Sequence, residues 1–218
     1  MLLGAPGAGK GTQATILSER LGIPHVATGD LFRAAVRDGT PLGLEARRYM
    51  DAGRLVPDET TIRLLGDRLA RPDTEPGVIL DGFPRTRAQA EVLDRALAQR
   101  GRAVERALYI DVPTDELVRR MAGRRICQAN GHPYNVATNP PASPGVCDLD
   151  GSPLIQRADD REVTVRARMH DQVPPLMEVV DHYRTAGILR SVDGRGDVDT
   201  VTAALLVAIG SPVSAETA

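Results

Sequence analysis

The sequence has little of what nucleic-acid-binding, secreted or membrane proteins need. It has no tryptophan, 3% aromatic residues and a net charge of −2, which argue against a surface for nucleic acid. Two cysteines are too few for a disulfide framework, and no apolar run reaches the length of a membrane span. We therefore expect a cytoplasmic protein that binds neither nucleic acid nor membranes. Because nothing in the sequence demands a partner chain, we expect a monomer.

Lysine is also nearly absent, since only one of the 27 cationic side chains is a lysine. That residue, Lys10, lies in the glycine-rich segment GAPGAGKGT at residues 4–12. Glycine lets the backbone approach an anion closely, and a helix that follows directs its positive end at the same anion. A slender ammonium reaches between phosphate oxygens where the wide fork of an arginine does not fit. The segment therefore predicts a site for a nucleoside triphosphate.

Strand-like and helix-like segments alternate along the chain, which predicts an α/β fold with a parallel sheet. Apolar strand candidates lie at residues 1–3, 24–27, 77–81, 107–112 and 188–192. We expect the long helical segment at residues 161–186 to be broken at Pro174 and Pro175. Ligands of such sheets lie beyond the carboxyl ends of the strands, where the glycine-rich segment and Asp81 both fall.

Three segments depart from this alternation. Residues 125–160 hold both cysteines, five prolines and no helical period, which predicts a small inserted subdomain of the size of a lid. Three residues precede Gly4, whereas a central strand usually has about five, so we expect a misassigned or truncated start. The tail from Ser211 is expected to be disordered.

The glycine-rich segment differs from the general phosphate loop, because Gly11 stands between the lysine and Thr12. Further motifs follow in order: TGDLFR from Thr28, LDGFPRT from Leu80, GRR from Gly123, NPP from Asn139 and RADD from Arg157. With this ordered set over nearly the whole chain, the sequence resembles a bacterial adenylate kinase of the long-lid type. The resemblance implies a three-layer P-loop NTPase fold, with a five-stranded parallel sheet flanked by helices.

The same resemblance implies three regions and a reaction. The core would consist of residues 1–26, 57–122 and 161–218, with an AMP-binding arm at 27–56 and a mobile lid at 123–160. The reaction would be ATP + AMP ⇌ 2 ADP with Mg²⁺, serving nucleotide homeostasis and purine salvage. Arginines that converge from several segments suit it, because two polyanions must be brought together. The alternatives are a GTP:AMP or other nucleoside monophosphate kinase, and a nucleotide-binding module without turnover.

By matching position, the resemblance also implies the site residues. Those expected to be catalytic are Lys10, Arg85, Arg124, Arg157 and Arg168. Those expected to bind ATP are Gly7, Ala8, Gly9, Lys10, Gly11, Thr12, Arg120, Arg124, Pro133, Tyr134 and Gly196. Those expected to bind AMP are Thr28, Arg33, Arg54, Leu55, Val56, Gly82, Phe83, Pro84, Arg85, Gln89, Arg157 and Arg168. Asp81 would order water molecules around Mg²⁺, which usually keeps several of them.

Several polar residues have a purely structural interpretation. Thr86 and Gln89 have the spacing of a capping box, so Gln89 could open a helix instead of contacting a base. Asp159 and Asp160 could cap the helix that follows them. Asp81 could close a turn, although its place at a strand end opposite the phosphate loop favours a site.

The expected lid raises the question of a metal. Some adenylate kinases fold the lid around zinc with four ligands, whose places here are Cys127, Asn130, Cys147 and Asp150. A neutral amide is a poor zinc ligand, and other members of the family have a hydrogen-bonded polar quartet instead. We therefore expect no metal ligands and no structural zinc, with His132 as a nearby candidate for a replacement ligand.

Overall fold

Eight strands and eight α-helices are found in the computed structural model, which describes residues 1–210 without the side chains of Ala158 and Glu162. The strands are β1 (Leu2–Leu3), β2 (His25–Ala27), β3 (Ile79–Asp81), β4 (Ala107–Asp111), β5 (Arg124–Cys127), β6 (Pro133–Asn135), β7 (Leu154–Ile155) and β8 (Leu189–Asp193). The helices are α1 (Lys10–Leu21), α2 (Thr28–Arg37), α3 (Pro41–Asp51), α4 (Asp58–Leu69), α5 (Arg87–Ala98), α6 (Thr114–Gly123), α7 (Glu162–Thr185) and α8 (Val198–Gly210). Short 3-10 turns lie at Pro72–Thr74 and Ala158–Asp160. The tail predicted to be disordered, from Ser211, lies outside the described residues.

Five of the strands form a parallel sheet in the order β2-β3-β1-β4-β8. Strand β1 lies at its centre although it has two residues, because Leu2 pairs with Asp81 on one side and with Leu108 on the other. Leu2 and Leu3 are both buried, as expected of a strand covered on both faces. The prediction of an α/β fold with a five-stranded parallel sheet is confirmed.

Two apolar clusters cover the faces of this sheet. The larger includes side chains of α1, α7 and α8, and the smaller includes side chains of α4 and α5. Ile79 and Leu80 are adjacent in β3 and belong to different clusters, so the two faces of β3 pack against different clusters. Each fully buried aliphatic side chain of this kind contributes about 2 kcal/mol, and together they hold the carboxyl edge of the sheet in place.

The predicted break at Pro174 and Pro175 is wrong, because α7 continues through both prolines. A proline removes the backbone N–H that would bond to the carbonyl group four residues earlier, here those of His170 and Asp171. Both of these residues are exposed, so water can replace the missing donors. On the buried side of the helix, Leu176 packs in the larger cluster and keeps α7 against the sheet.

Two smaller units extend from the sheet. Helices α2 and α3 pack around Phe32, Ala46 and Val56. Strands β5, β6 and β7 form a separate antiparallel sheet in the order β6-β5-β7. These units fall within the ranges expected for the AMP-binding arm and the lid, whose boundaries and mobility stay predictions. Within residues 1–210, no helix combines the length and the apolar character that crossing a membrane requires.

Candidate active site

The glycine-rich segment forms a loop between the end of β1 and the start of α1. Gly7 has φ of 87° and Gly9 has φ of 93°, a left-handed conformation that glycine adopts without strain. A Cβ atom on Gly7 would also lie 2.8 Å from Cγ of Met121 and 3.0 Å from the carbonyl oxygen of Leu117. Helix α6 therefore packs directly against the loop at Gly7. The free N–H groups at the start of α1 make the loop suited to an anion.

Lys10 is the first residue of α1, and its ammonium lies within the loop. Nζ donates hydrogen bonds to the carbonyl oxygens of Gly4, at 2.8 Å, and Ala5, at 3.0 Å. Burial lowers the pKa of Lys10 from 10.5 to about 8; the charge of Asp81 opposes this shift, and nearby arginines add to it. Without a nucleotide, the acceptors of the ammonium are therefore neutral carbonyl oxygens. A bound phosphate would provide charged acceptors in their place.

Asp81 ends β3 beside this loop. Its Oδ2 atom lies 3.3 Å from Nε2 of His25. Burial by itself would raise the pKa of Asp81, but the hydrogen bond with His25 and the charge of Lys10 outweigh it and leave the pKa below its usual value. An ionised carboxylate at this edge suits a divalent cation that is bound through water.

Two clefts meet beside the loop. One, of about 410 Å³ with its opening to solvent included, is lined by Lys10, Arg85, Arg168 and Gln172 among others. The other, of about 540 Å³ on the same basis, shares Arg85, Arg168 and Gln172 and extends to α2 and α3. It is lined by most of the residues expected to bind AMP: Thr28, Arg33, Arg54, Leu55, Val56, Arg85, Gln89 and Arg168. The structure therefore brings these residues together next to the phosphate loop.

Arg85 lies where the two clefts join. Its Nε donates to the carbonyl oxygen of Gly82 at 2.7 Å, and its Nη1 donates to Oε1 of Gln172 at 3.2 Å. Nε2 of Gln172 in turn donates to the carbonyl oxygen of Gly53 at 2.7 Å, which links Arg85 to the segment after α3. Burial lowers the pKa of Arg85, and the charge of Asp81 opposes that shift. The remaining N–H groups of the guanidinium are available to a phosphate.

The turn before Arg85 shapes both clefts. Gly82 has φ of 71°, and a Cβ atom on it would lie 2.7 Å from Nη2 of Arg85. Oγ1 of Thr28 donates to the carbonyl oxygen of Gly82 at 2.7 Å, which joins α2 to the turn. Gly82 and Pro84 line the smaller cleft, whereas Phe83 is buried in the smaller apolar cluster. Of the predicted AMP residues, Phe83 therefore acts as an anchor for the turn.

Arg124 and Arg168 are paired with carboxylates at the base of the lid. Nε of Arg124 donates to Oδ2 of Asp160 at 2.6 Å, and its Nη2 donates to Oδ1 of the same group. Nη1 of Arg168 donates to Oδ2 of Asp159 at 2.8 Å. Helix α7 begins after Arg161, which makes no side-chain cap. Asp159 and Asp160 thus neutralise arginines, and the alternative that they cap α7 is not supported.

The remaining predicted arginines of the phosphate site, Arg33 and Arg157, lie close to these cations. Burial, together with the charges of Arg33 and Arg124, lowers the pKa of Arg157 to about 10. Burial is also the main reason why the pKa of Arg168 is about 10. Like charges in a partly buried space destabilise one another unless anions neutralise them. This concentration of cations is therefore suited to polyanionic ligands.

The structure leaves fewer of the residues expected on the ATP side free to contact that nucleotide. Nε of Arg120 donates to Oε1 of Glu116 at 2.7 Å on the same helix. Pro133 is exposed, but Tyr134 is buried in the lid, where its hydroxyl oxygen accepts a hydrogen bond from the N–H of Asp148 at 2.8 Å. Little of the Tyr134 ring is left to contact a base. If this segment contacts ATP, the contact comes from Pro133 and the backbone.

Gly196, the other residue expected at the ATP base, lies in the exposed loop between β8 and α8. Nε2 of Gln13 donates to the carbonyl oxygen of Val198 at 3.0 Å, and Oγ1 of Thr202 donates to Oε1 of Gln13 at 2.8 Å. These bonds tie the start of α8 to the helix that begins at Lys10. The loop of Gly196 is thereby held near the phosphate loop.

Gln89 takes part in the cap of α5 and also lines the larger cleft, while its contact with a base stays a prediction. Its N–H donates to Oγ1 of Thr86 at 3.2 Å, as in a capping box. Its side-chain Oε1 accepts from the N–H of Arg85 at 2.8 Å, one residue further back than the motif requires. Its Nε2 donates to Oδ1 of Asp58 at 2.7 Å. Gln89 is 1% exposed and lines the larger cleft, so it caps α5 and also faces the site.

The lid holds a cluster of metal-ligating atoms. Among the described residues, donor atoms of Cys127, His132, Cys147 and Asp150 all lie within 4.8 Å of one another. Nδ2 of Asn130 donates to Oδ2 of Asp150 at 2.7 Å and so orients that carboxylate. The expectation of a lid without metal ligands assumed Asn130 as the fourth donor. The structure provides His132 instead, and the resulting set of two thiols, an imidazole and a carboxylate fits zinc.

Sequence reasoning missed three residues that support the site, Gln13, Asp58 and Gln172. Asp58 begins α4 and resembles an ordinary acidic residue of a first helical turn. Gln13 and Gln172 are 3% and 7% exposed. Gln172 stands between Met169 and Leu176 on the apolar side of α7, and a polar residue at that helical spacing is the signal that could have identified it.

Nearly the whole chain is similar to known proteins. The adenylate kinase family model matches residues 2–188. An adenylate kinase of Lysinibacillus sphaericus is 50% identical over 205 residues, which cover 94% of both chains. An adenylate kinase of Moorella thermoacetica is 50% identical over 213 residues, covering 96% of this chain and 97% of the other. An adenylate kinase of Bacillus subtilis is 48% identical over 203 residues, covering 93% and 94%. The chain, with its phosphate loop and two joined clefts, belongs to the adenylate kinase family.

Proposed function

We propose that the chain transfers the terminal phosphoryl group of MgATP to AMP and releases two molecules of ADP. The observation that carries the proposal is the junction of the two clefts at Arg85 and Arg168. One cleft begins at Lys10, and the other is lined by the residues expected to bind AMP. Two nucleotides bound in these clefts would meet with their phosphates facing each other. Membership of the family supports the same reaction.

The proposed mechanism depends on position and charge. The phosphate of AMP is already an anion, so no general base is required, and the protein has to align the two phosphates and exclude water. Lys10 would exchange its bonds to the carbonyl oxygens of Gly4 and Ala5 for bonds to the β- and γ-phosphates. Arg33 and Arg85 would hold the phosphate of AMP.

The other arginines would neutralise the phosphoryl group during transfer. Arg124 and Arg168 are held by Asp160 and Asp159 near the junction of the clefts. A phosphate offers more charge and more acceptor oxygens than a carboxylate, so it competes for the same guanidinium groups. Together with Arg157, these arginines would stabilise charge that develops on the equatorial oxygens.

Mg²⁺ would enter with ATP, and the residues beside the loop fit it. Thr12 offers a hydroxyl in the first turn of α1, and the ionised carboxylate of Asp81 can hold water molecules of the ion. When bound, the ion neutralises phosphate charge and aligns the phosphates.

The monomeric state and the cytoplasmic location of the protein also stay predictions.

The test is ADP formation from MgATP and AMP by the purified protein. We expect ADP only when both nucleotides are present. Arg85→Ala should lower the rate by about 100- to 1000-fold, because one group that stabilises transition-state charge is removed. Lys10→Met should have a similar effect, and both variants should remain folded. The matched control Arg71→Ala removes an exposed arginine at the end of α4 and should retain full activity. A fully active Lys10→Met protein would refute the proposed site.

The identity of the donor base is a second question for the same assay. Pro133 and Gly196 are exposed, and Tyr134 is buried in the lid, so few described side chains surround the expected base of ATP. Comparison of ATP with GTP as donors, and of AMP, GMP, CMP and UMP as acceptors, separates an adenylate kinase from a GTP:AMP or pyrimidine monophosphate kinase. A module without turnover would bind MgATP and form no ADP with any acceptor.

We further propose that the lid binds zinc through Cys127, His132, Cys147 and Asp150. Nδ1 of His132 lies 3.3 Å from Sγ of Cys147, and Asn130 holds Asp150 in place. Protein loaded with Co²⁺ should show the absorption of cobalt–thiolate bonds in a tetrahedral site. His132→Ala should lose this absorption and retain less zinc after dialysis, whereas His170→Ala, an exposed histidine, should behave like the wild type. Zinc content that is independent of His132 would contradict the proposal.

A further inference from the structure

Asp58, the first residue of α4, lies behind the side-chain amide of Gln89. Its Oδ1 accepts from Nε2 of Gln89 at 2.7 Å, and its Oδ2 accepts from Oγ1 of Thr86 at 2.7 Å. At the other end of the amide, Oε1 of Gln89 accepts from the N–H of Arg85 at 2.8 Å. A carboxylate accepts hydrogen bonds and a backbone N–H donates them. These two partners therefore determine which end of the amide is nitrogen and which is oxygen.

We infer that Asp58 is a positioning residue that makes the monophosphate cleft select adenine over guanine. The inference rests on the proposed function, because it requires AMP to bind in the cleft that Gln89 lines. An amide group has two N–H donors and two acceptor lone pairs. Asp58 and Arg85 use one of each, which leaves one donor and one acceptor, side by side, for a ligand.

The free donor and acceptor match only one of the two purines. Adenine presents an acceptor at N1 next to a donor at its 6-amino group, which complements the N–H and the lone pair that Gln89 keeps. Guanine presents a donor at N1 next to an acceptor at O6. In the same position it would place donor against donor and acceptor against acceptor. A site that leaves polar groups unpaired in this way rejects the wrong substrate strongly.

An amide that rotates freely would accept both purines. Half a turn of the Gln89 amide would bring Oε1 against the carboxylate of Asp58 and Nε2 against the N–H of Arg85. Both hydrogen bonds would be lost and replaced by repulsive contacts. Gln89 is 1% exposed, so water cannot compensate for them. The hydroxyl group of Thr86 restrains the carboxylate of Asp58. The Gln89 amide is therefore held in one orientation.

Asp58 also has a structural role that the experiment must separate from this one. It lies in the first turn of α4, where a negative charge stabilises the helix. Loss of that stabilisation would lower the melting temperature and affect every acceptor equally. A purely structural role would leave the preference between two acceptors unchanged. A change in that preference therefore reports the positioning role of Asp58.

The test compares AMP and GMP as acceptors for MgATP in the wild type and in Asp58→Asn. The variant keeps the shape of the side chain but lets the amides of residues 58 and 89 turn together. We expect the ratio of kcat/KM for AMP to that for GMP to fall by about 10- to 100-fold, because a charge-assisted hydrogen bond no longer opposes rotation. The matched control Asp73→Asn removes an exposed carboxylate paired with Arg68 and should leave the ratio unchanged.

An unchanged ratio in a folded Asp58→Asn protein would overturn the inference. Absence of ADP formation from MgATP and AMP by the wild type would overturn the proposed function instead, so the two failures are distinguishable. If the variant does not fold, the wild-type protein provides a second measurement. By ¹⁵N NMR, the two side-chain amide protons of Gln89 should be separated and protected from exchange, and AMP should shift them more than GMP does. Rapid exchange of both protons in the free protein would also overturn the inference.

Discussion

Lys10 should take up a proton when MgATP binds at alkaline pH. In the free protein, burial lowers the pKa of Lys10 from 10.5 to about 8, and bound phosphates would raise it again. At pH 8.5 the free ammonium is about one quarter protonated and the bound one almost fully, so about 0.75 proton enters for each ATP bound. At pH 7 the uptake is about 0.1 proton, because the site is already charged.

The chain is well suited to this measurement, because Lys10 is its sole lysine. Protein labelled with ¹³C at lysine Cε gives one resonance, whose titration midpoint should lie at about 8 without nucleotide and about two pH units higher with MgATP. Calorimetry at pH 8.5 in two buffers of different ionisation enthalpy measures the proton uptake itself. The same measurement on the wild type at pH 7 is the control, since Lys10 is then almost fully charged before ATP binds and the uptake should fall to about 0.1 proton.

Two results would refute this reasoning. One is a midpoint at or above the ordinary 10.5 in the free protein, and the other is a binding enthalpy at pH 8.5 that does not depend on the buffer. The free energy of unfolding also depends on pH through Lys10. Between pH 8 and 10.5 the unfolded chain binds more protons at Lys10 than the folded chain does, so the contribution of Lys10 to stability rises with pH over this window. Below pH 8 the buried charge lowers stability most.

Three further changes test the support of the site. Gly7→Ala should lower the free energy of unfolding by about 1–3 kcal/mol in a urea titration and weaken ATP binding, because φ is 87° there. Gly66→Ala, whose Cβ meets open space within α4, should instead raise the free energy of unfolding by about 0.5–1 kcal/mol. Asp160→Asn should destabilise the free protein by about 3 kcal/mol, because Arg124 loses a buried partner, and nucleotides should raise its melting temperature more than that of the wild type. Leu205→Ala, a fully buried change in α8, should reduce stability by about 2–5 kcal/mol while KM for both nucleotides stays unchanged; altered KM values would place α8 in the site.

Much of the fold was predictable because its signals are local. Gly22 ends α1 in a left-handed conformation, and Thr86 caps α5 through the N–H of Gln89. Such signals depend only on neighbouring residues, so the sequence shows them without knowledge of the fold. The continuation of α7 through Pro174 and Pro175 was not predictable in this way. There, packing of the helix on the core outweighs the loss of local hydrogen bonds, and no local pattern reveals that packing.

The site was predictable in part for the same reason. Motifs placed most of the arginines and the glycines of the phosphate loop, because each depends on a short run of residues. The choice between Asn130 and His132 in the lid was not predictable, since it depends on how the pairing of β5 with β7 brings the side chains of two turns together. The burial of Tyr134 likewise follows from the packing of the lid, where its hydroxyl group contacts Cys147.

By itself, the sequence determined the chemistry of this protein. A single ammonium within a glycine-rich loop and arginines in ordered motifs indicate phosphate ligands, because few other residue types bind them as well. Only the tertiary structure decided which groups are partners. Arg124 and Asp160 are 36 residues apart, and Asp58 and Gln89 are 31 apart. Hydrogen bonds act over about 3 Å, so the path of the chain, and not the spacing of residues along it, decides which of them form.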